Sequence, residues 1–421
     1  MNALRHMRHS QFLRDNAVFF SGSVAVGALN YLYYPILGRL LSPGAFGEVQ
    51  TLVSLFLQLG IFLVVFSLVV VNIVTNYADA AARNLFVFEF EKLALVVALL
   101  LLVLSVVFRS RLQSFLHFTS SWPFMLLGGA VVAAVPFTLR SAYLRGRQRF
   151  GLVSAGNIIV AAGKLAFSVA LVLAGLGTVG AIGGVVAAQV VAWGFVAWWA
   201  YKWGLKQAGG KRWLALPDMR ILLPELRYGA IVLVASLALT LQYSVDILFV
   251  KHYFSPGTAG AYAGIAAAAR IVFFLTASIG QVLMAAIRLK HSPEQNRQLL
   301  KKSLLLLGGI GLPVLAVLVA TPRLVIRALM GEHYLAYATL LPRLSIAIAI
   351  VAVLNLLVAY YLALRRYGVA VATVLGLGAS CAMIVLHHGS PAAVVDGLLF
   401  GSLAMLALFG GWKVIERRYT G

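Results

Sequence analysis

Acidic side chains are the scarcest chemistry in this sequence, with 12 Asp and Glu among 421 residues against 34 Lys and Arg. The single cysteine, Cys381, sits inside an apolar run, which excludes a disulfide framework and a cysteine metal cluster. HExxH, GxSxG and P-loop patterns are absent, and nothing in the sequence sets a nucleophile beside a base, so neither an enzyme nor a cofactor or metal is expected. His387-His388 falls in a short turn and reads as a solvated pair. No polar stretch is long enough to build a soluble domain between the apolar runs.

What is present is apolar. Hydrophobic residues make up 62% of the chain and the mean hydropathy is +0.95, the composition of an all-α membrane protein. At ~20 apolar residues per crossing, spans are expected near 16–37, 47–71, 85–108, 122–143, 151–174, 179–201, 226–250, 260–286, 304–320, 337–362, 369–386 and 392–412. That makes twelve, six in each half.

The halves repeat one another. Leu41–Leu52 reads LSPGAFGEVQTL and Phe254–Ile265 reads FSPGTAGAYAGI, with Ser42/Ser255, Pro43/Pro256, Gly44/Gly257 and Gly47/Gly260 each 213 residues apart. Arg149-Phe150-Gly151 returns as Arg366-Tyr367-Gly368, and Gly180 and Gly184 return as Gly397 and Gly401, all 217 residues apart. Ordered matches at nearly one spacing indicate a duplicated unit. Ser can cap a helix and Pro tolerates its first turn, so each Ser-Pro-Gly is expected to open a new helix. Six spans per half return the chain to the side it started from, which makes this a parallel repeat. The expected divisions are an N-terminal half over 1–205, a cytoplasmic linker over 206–225 and a C-terminal half over 226–421.

Lys and Arg set the orientation. Segments expected on one side of the membrane hold 25 of them and the opposite segments hold 6, which places both termini in the cytoplasm and the protein in the cytoplasmic (inner) membrane. The net charge of +22 is spread over seven short loops, a distribution that argues against nucleic-acid binding. Lys164, Arg270 and Arg343 are the three cations left inside spans. A mid-membrane cation costs ~2.5–3.5 kcal/mol on insertion scales, so these three are expected to face an interior. Snorkelling is an equal reading for Arg343, which lies near a span end.

Helical spacing puts Asn157, Lys164 and Ser168 on one face, and Arg270, Ala277 and Gln281 on another. Ala263, Ala266 and Ala267 beside Arg270 would leave room for a ligand, although small residues are also ordinary packing surfaces in membranes. Asp246 and Asp396 are candidate coupling carboxylates, with Asp246 also readable as an interfacial residue beside Lys251; Glu89 and Glu91 lie near the start of the third span. The interior is therefore expected to be net positive and suited to an anion, since guanidinium groups bind phosphate oxygens bidentately. Asn30, Tyr31, Tyr33 and Tyr34, with Gln242 and Tyr243, could contact a sugar or headgroup; for the tyrosines an interfacial aromatic belt is the plainer reading.

The opening NYLYYPILGRLLSPGAFGEVQTLVSLF, the two six-helix halves and the basic RxRQRFG turn after the fourth span resemble the polysaccharide-biosynthesis flippases. These are the O-antigen (Wzx-like) transporters of the superfamily that also holds the multidrug MATE exporters and the lipid II flippase MurJ. The resemblance implies a bilobed, V-shaped bundle with a cationic central cavity that takes the diphosphate of an undecaprenyl-linked oligosaccharide. It implies alternating access, with the lipid tail left in the bilayer, and export for O-antigen or exopolysaccharide assembly beside a polysaccharide polymerase machinery. By resemblance Lys164, Arg270 and Arg343 become headgroup contacts. Twelve spans rather than fourteen favour this role over peptidoglycan. The alternative is an ion-coupled MATE-like exporter of organic cations, which would want carboxylates at depth in the first two spans. A membrane glycan polymerase would need catalytic carboxylates and a sizeable outer loop, and a scaffold would leave Arg270 unexplained.

Overall fold

The structure is a computed structural model describing residues 2–76, 79–206, 219–287 and 292–420, with the side chains of 2–20, 219–228, 277, 281, 285 and 413–420 outside the description. The expected linker falls mainly on residues 207–218, outside those described. The helices are α1 Asn2–Leu40, α2 Pro43–Leu59, α3 Ile61–Asn76, α4 Ala80–Val107, α5 Arg109–Phe115, α6 Trp122–Gly146, α7 Phe150–Leu171 and α8 Gly177–Lys202. They continue with α9 Met219–Tyr253, α10 Pro256–Ala269, α11 Ile271–Ala286, α12 Pro293–Ala320, α13 Pro322–Leu329, a 3₁₀ segment Glu332–Leu340, α14 Leu341–Ala363, α15 Gly368–Leu386 and α16 Pro391–Thr420. No strand occurs among the described residues. Only helices and closed barrels satisfy every backbone group within lipid, so this outcome follows from the composition.

Ten stretches among the described residues are long and apolar enough to cross a membrane, so the protein is a multi-pass integral membrane protein. The ten differ from the expected twelve for identifiable reasons. Phe150–Lys202 counts as one 53-residue stretch, yet it turns back on itself at Gly175 and Gly177, where φ is 87° and 50°. Positive φ is accessible to glycine without a Cβ penalty, and α7 and α8 then pack antiparallel, with Ser168 Oγ donating to the Ala181 carbonyl at 2.7 Å. The first expected span lies on α1, whose opening side chains are outside the description. Expected spans two and eight are each interrupted, at Gly60 between α2 and α3 and at Arg270 between α10 and α11.

The duplicated motifs behave alike. Ser255 caps α10 by accepting from Thr258 N at 3.3 Å, with Pro256 in the first turn. Ala45 N makes the corresponding, longer contact to Ser42 Oγ at 3.4 Å. Gln148 and Arg365, 217 residues apart, both take positive φ, 58° and 56°, ahead of α7 and α15. Gly184 lies against Ser168 and Gly401 against Ser380, so the α7–α8 and α15–α16 hairpins are closed by the same kind of contact.

The chain clusters into two units. Unit 1 comprises 1–30, 59–110 and 121–230, and unit 2 comprises 31–58, 111–120 and 231–421. In unit 1, α8 packs on α6 and α7, and α6 packs on α3 and α4. In unit 2, α14 is central, packing on α10, α11, α12 and α16. The two Ser-Pro-Gly joints meet inside unit 2, where a Cβ on Gly47 would come within 2.9 Å of Gly260 Cα and one on Gly260 would overlap the Pro43 carbonyl. Glycine is needed at both positions because two backbones cross there without side chains between them.

Candidate functional site

The site is built on α9 and α11 of unit 2. Asp246 and Tyr243 lie one turn apart on α9, and Arg270 occupies the break at which α10 gives way to α11, its own N–H bonding the Ala266 carbonyl at 3.2 Å. Arg270 is 3% exposed and Asp246 is fully buried. Arg270 Nη2 donates to Asp246 Oδ1 at 2.7 Å and to the Tyr243 carbonyl at 3.0 Å, and Nε donates to that carbonyl at 3.3 Å. The second carboxylate oxygen accepts from the Tyr262 hydroxyl at 2.8 Å. The guanidinium carbon lies 5.0 Å from the centre of the Tyr243 ring, a cation–π distance.

One donor is left over. Arg270 Nη1 is buried and has no hydrogen-bond partner, and the same is true of the Tyr31 hydroxyl. Tyr31 and Tyr34 on α1 flank Phe274, one turn beyond Arg270, at 6.0 and 5.7 Å between ring centres. A buried guanidinium nitrogen without a partner carries a desolvation penalty that an acidic oxygen would relieve through a charge-assisted hydrogen bond.

The structure brings three of the sequence-selected residues together, Arg270, Tyr243 and Asp246, and disperses the others. Gln242 is fully buried and faces the other way, its amide nitrogen donating to Ser380 Oγ at 2.8 Å, Ser402 Oγ at 3.0 Å and the Leu398 carbonyl at 3.4 Å. Its amide is consumed in tying α9 to α15 and α16. Arg343 forms an ion pair with Asp396 at 3.3 Å, with the two side chains 59% and 52% exposed. Lys164 belongs to unit 1, where its ammonium donates to Asn30 Oδ1 at 2.6 Å. Asn157 is half-buried on α7, and Ser168, expected on the same face, is turned into the α7–α8 seam. The Gln281 and Ala277 side chains lie outside those described.

Three expectations are corrected. Asp246 is not interfacial beside Lys251, which instead donates to the His117 carbonyl at 3.2 Å. Tyr31, Tyr33 and Tyr34 are 9%, 0% and 5% exposed, an interior cluster rather than an aromatic belt. Ala263, Ala266 and Ala267 belong to α10, which is buried from Ala259 to Ala269, so they pack against neighbouring helices rather than line an open cavity. Its small residues serve close helix packing, with Gly264 against the Tyr334 ring.

Sequence reasoning missed Tyr262 and the balance of charge at Arg270. The spacing of 16 between Asp246 and Tyr262 crosses the α9–α10 turn and carries no periodic signal. Among the described residues no group of three His, Cys, Asp or Glu could hold a metal ion.

A family profile described as polysaccharide biosynthesis protein matches residues 36–339, most of the chain and all of the Arg270–Asp246–Tyr262 arrangement. The chain belongs to this family. A search of curated proteins finds no match. Solved structures share its fold. A eukaryotic MATE transporter superposes with a TM-score of 0.70 at 13% identity, covering 96% of each chain. The lipid II flippase MurJ in an inward-closed conformation gives 0.72 at 12% identity, over 94% of this chain and 87% of that one. A MOP superfamily transporter from Pyrococcus furiosus, described as having a binding pocket of reverse polarity, gives 0.60 at 14% identity over 95% of each. At such identities the likeness establishes the fold, which is that of the MOP superfamily of transporters and flippases. These fold relatives are described as transporters and a flippase.

Proposed function

We propose that this member of the polysaccharide biosynthesis family flips an undecaprenyl-diphosphate-linked oligosaccharide from the cytoplasmic to the outer leaflet, for O-antigen or exopolysaccharide assembly. The observation that carries the reading is Arg270, a buried guanidinium with one nitrogen on Asp246 and another without a partner. Nη1 takes a phosphate oxygen while Nη2 keeps Asp246, so the site accepts an anion without losing the pair that holds the arginine in place. Tyr31 offers a hydroxyl, and Phe274 an apolar face, to the part of the substrate attached to the phosphate. Lys164, Asn157 and Gln281 are further headgroup contacts in this reading, Gln242 supports the α9 backbone beside Tyr243, and Arg343 with Asp396 forms an outlying ion pair. Both termini face the cytoplasm of the inner membrane. The halves 1–205 and 226–421 alternate about the 206–225 linker, while the lipid tail stays in the bilayer. An inside-negative potential of 100 mV assists outward movement of each negative charge by ~2.3 kcal/mol, so a separate coupling carboxylate is not required. A polymerase machinery would receive the flipped glycan.

The test is binding of purified protein to undecaprenyl diphosphate and to a quaternary ammonium dye, for wild type and Arg270→Lys. Lysine keeps a cation beside Asp246 but has no second fork nitrogen to offer. Tight diphosphate binding that weakens in the variant by ~1.5–3 kcal/mol, one charge-assisted hydrogen bond, supports the reading. Preference for the dye, untouched by Arg270→Lys, overturns it in favour of an organic-cation exporter.

A further inference from the structure

Unit 2 is assembled from both halves of the sequence. From the first half it takes 31–58 and 111–120, and the remainder is 231–421. One kind of polar contact recurs where the two contributions join. Arg39 Nε donates to the Leu329 carbonyl at 3.2 Å, and its Nη2 donates to the Ala328 carbonyl. The Tyr334 hydroxyl, 1% exposed, donates to the Gly38 carbonyl at 2.9 Å. Lys251 Nζ donates to the His117 carbonyl at 3.2 Å. His252 Nδ1 lies 2.8 Å from the Phe115 carbonyl, so it is the ring nitrogen that carries the proton and donates. Phe46, beside the crossed backbones of Gly47 and Gly260, meets the Tyr334 ring edge-on at 6.0 Å.

Every acceptor in this set is a main-chain carbonyl at or just past a helix C-terminus. Gly38 lies in the last turn of α1, Phe115 closes α5 with His117 two residues beyond, and Ala328 and Leu329 close α13. The last four carbonyls of a helix have no partner within it. Donors from the second half therefore cap α1 and α5 of the first, and a donor from the first half caps α13 of the second. The connector after α5 is fixed on its own half by Glu48, whose buried carboxylate accepts from Thr119 N at 2.7 Å and from Thr119 Oγ1 at 3.3 Å. Ring contacts add to the capping: His252 stacks on Phe115 with centres 4.0 Å apart, and Lys251 Nζ lies 5.0 Å from the centre of Phe118. A hydrogen bond to a helix-end carbonyl is exchanged for one to water when the contact parts, so its net contribution is small. Such a junction parts and re-forms readily, whereas the Arg270–Asp246 pair inside the second half strands charge if it is broken.

We propose that this reciprocal capping is a releasable latch, in which Arg39, Tyr334, Lys251 and His252 hold the two halves of the sequence closed at one end and let go when that end opens. In the orientation set by Lys and Arg the ends of α1, α5, α9 and α13 lie on the outer side, so the latch governs release to the outer leaflet. The proposal rests on the alternation in the flippase reading and not on its substrate. The four donors set the balance between closed and open states without touching what is carried.

The experiment measures the distance across the junction in the full-length protein in lipid nanodiscs. Spin labels on Ser114→Cys and Gly257→Cys, both exposed positions, are read by electron paramagnetic resonance in a Cys381→Ser background. A shorter and a longer population are expected. Tyr334→Phe, which keeps the ring and removes one bond, should raise the longer population about threefold to tenfold, and Lys251→Met should raise it as well. Gln242→Leu, which loosens ties inside the second half alone, should leave the distribution unchanged. In a second arm, Phe115→Cys and His252→Cys are bridged by a short bismethanethiosulfonate, and transport of undecaprenyl-diphosphate-linked N-acetylglucosamine and of a quaternary ammonium dye is followed in proteoliposomes. Arrest that a reductant reverses supports the latch. One unchanged short distance in wild type, Tyr334→Phe and Lys251→Met overturns it, and so does undiminished transport through the bridged protein. If the lipid-linked probe moves at full rate through the bridged protein, the latch fails and the flippase reading stands. If the dye alone is carried and the bridge arrests it, the latch stands and the flippase reading fails.

Discussion

Removing the carboxylate of Asp246 should damage the fold far more than the small change in volume would suggest. Asp246 is fully buried and accepts from Arg270 at 2.7 Å and from Tyr262 at 2.8 Å. Asp246→Ala leaves a guanidinium with its charge uncompensated in a dry interior, a change that costs ~3–5 kcal/mol. At 1.4 kcal/mol per decade this is about two to three and a half orders of magnitude in the folding equilibrium. Arg270→Met, which strands the carboxylate instead, should cost a similar amount. The double variant removes both charges and replaces one side chain by an apolar one of similar length, so it should be much less unstable than the sum, with a coupling of ~2 kcal/mol or more. The assay is equilibrium unfolding in mixed micelles, monitored by tryptophan fluorescence, for the four corners of the cycle. Additive losses would show that the two groups are not energetically paired, and would remove the basis for assigning Nη2 to Asp246 and Nη1 to a ligand.

The same geometry fixes other outcomes. Gln242→Leu should cost ~1–3 kcal/mol in the same unfolding assay, because it strands the buried hydroxyl of Ser380, which both accepts from and donates to Gln242, while Ser402 keeps its bond to the Leu398 carbonyl; diphosphate binding measured on the folded fraction should be unchanged, and its selective loss would return Gln242 to the binding site. Gly260→Val places a branched side chain on the Pro43 carbonyl and should destabilise by ~1–3 kcal/mol or more, read as a lowered melting temperature. Gly257→Ala, with nothing within 4 Å of its Cβ, is the matched control and should melt near wild type. Arg343→Ala breaks an exposed pair and should change stability by less than ~1 kcal/mol, so a larger loss would mean that the pair is shielded from solvent.

The spans were legible because hydropathy and backbone hydrogen bonding are local. The twelve expected segments fall on helices wherever residues are described, and the Ser-Pro-Gly joints open α2 and α10 as a capping residue followed by proline should. Gln148 and Arg365 were not singled out, yet the Arg-aromatic-Gly echo beside them marks the same turn in both halves. At the candidate site the burial of Arg270 was legible for a local reason, since a cation at mid-span must face an interior. Its partner was not legible. Asp246 is 24 residues earlier on another helix, and a carboxylate near Lys251 has an obvious but incorrect partner in the sequence. The alanines around Arg270 carried two meanings, room for a ligand or close helix contact, and only the neighbours of α10 separate them.

The sequence by itself determined that this is an all-helical membrane protein with a repeated half and a single deeply placed arginine in its eighth span. Those properties depend on residue type and spacing along one chain segment, which the bilayer tests one helix at a time. The tertiary structure decided the rest: that Arg270 is neutralised on one side and unpartnered on the other, and that Gln242 is spent on holding helices together. Each of these depends on which faces of separate helices meet. That is set by close packing of small residues across the chain, and hydropathy carries no record of it.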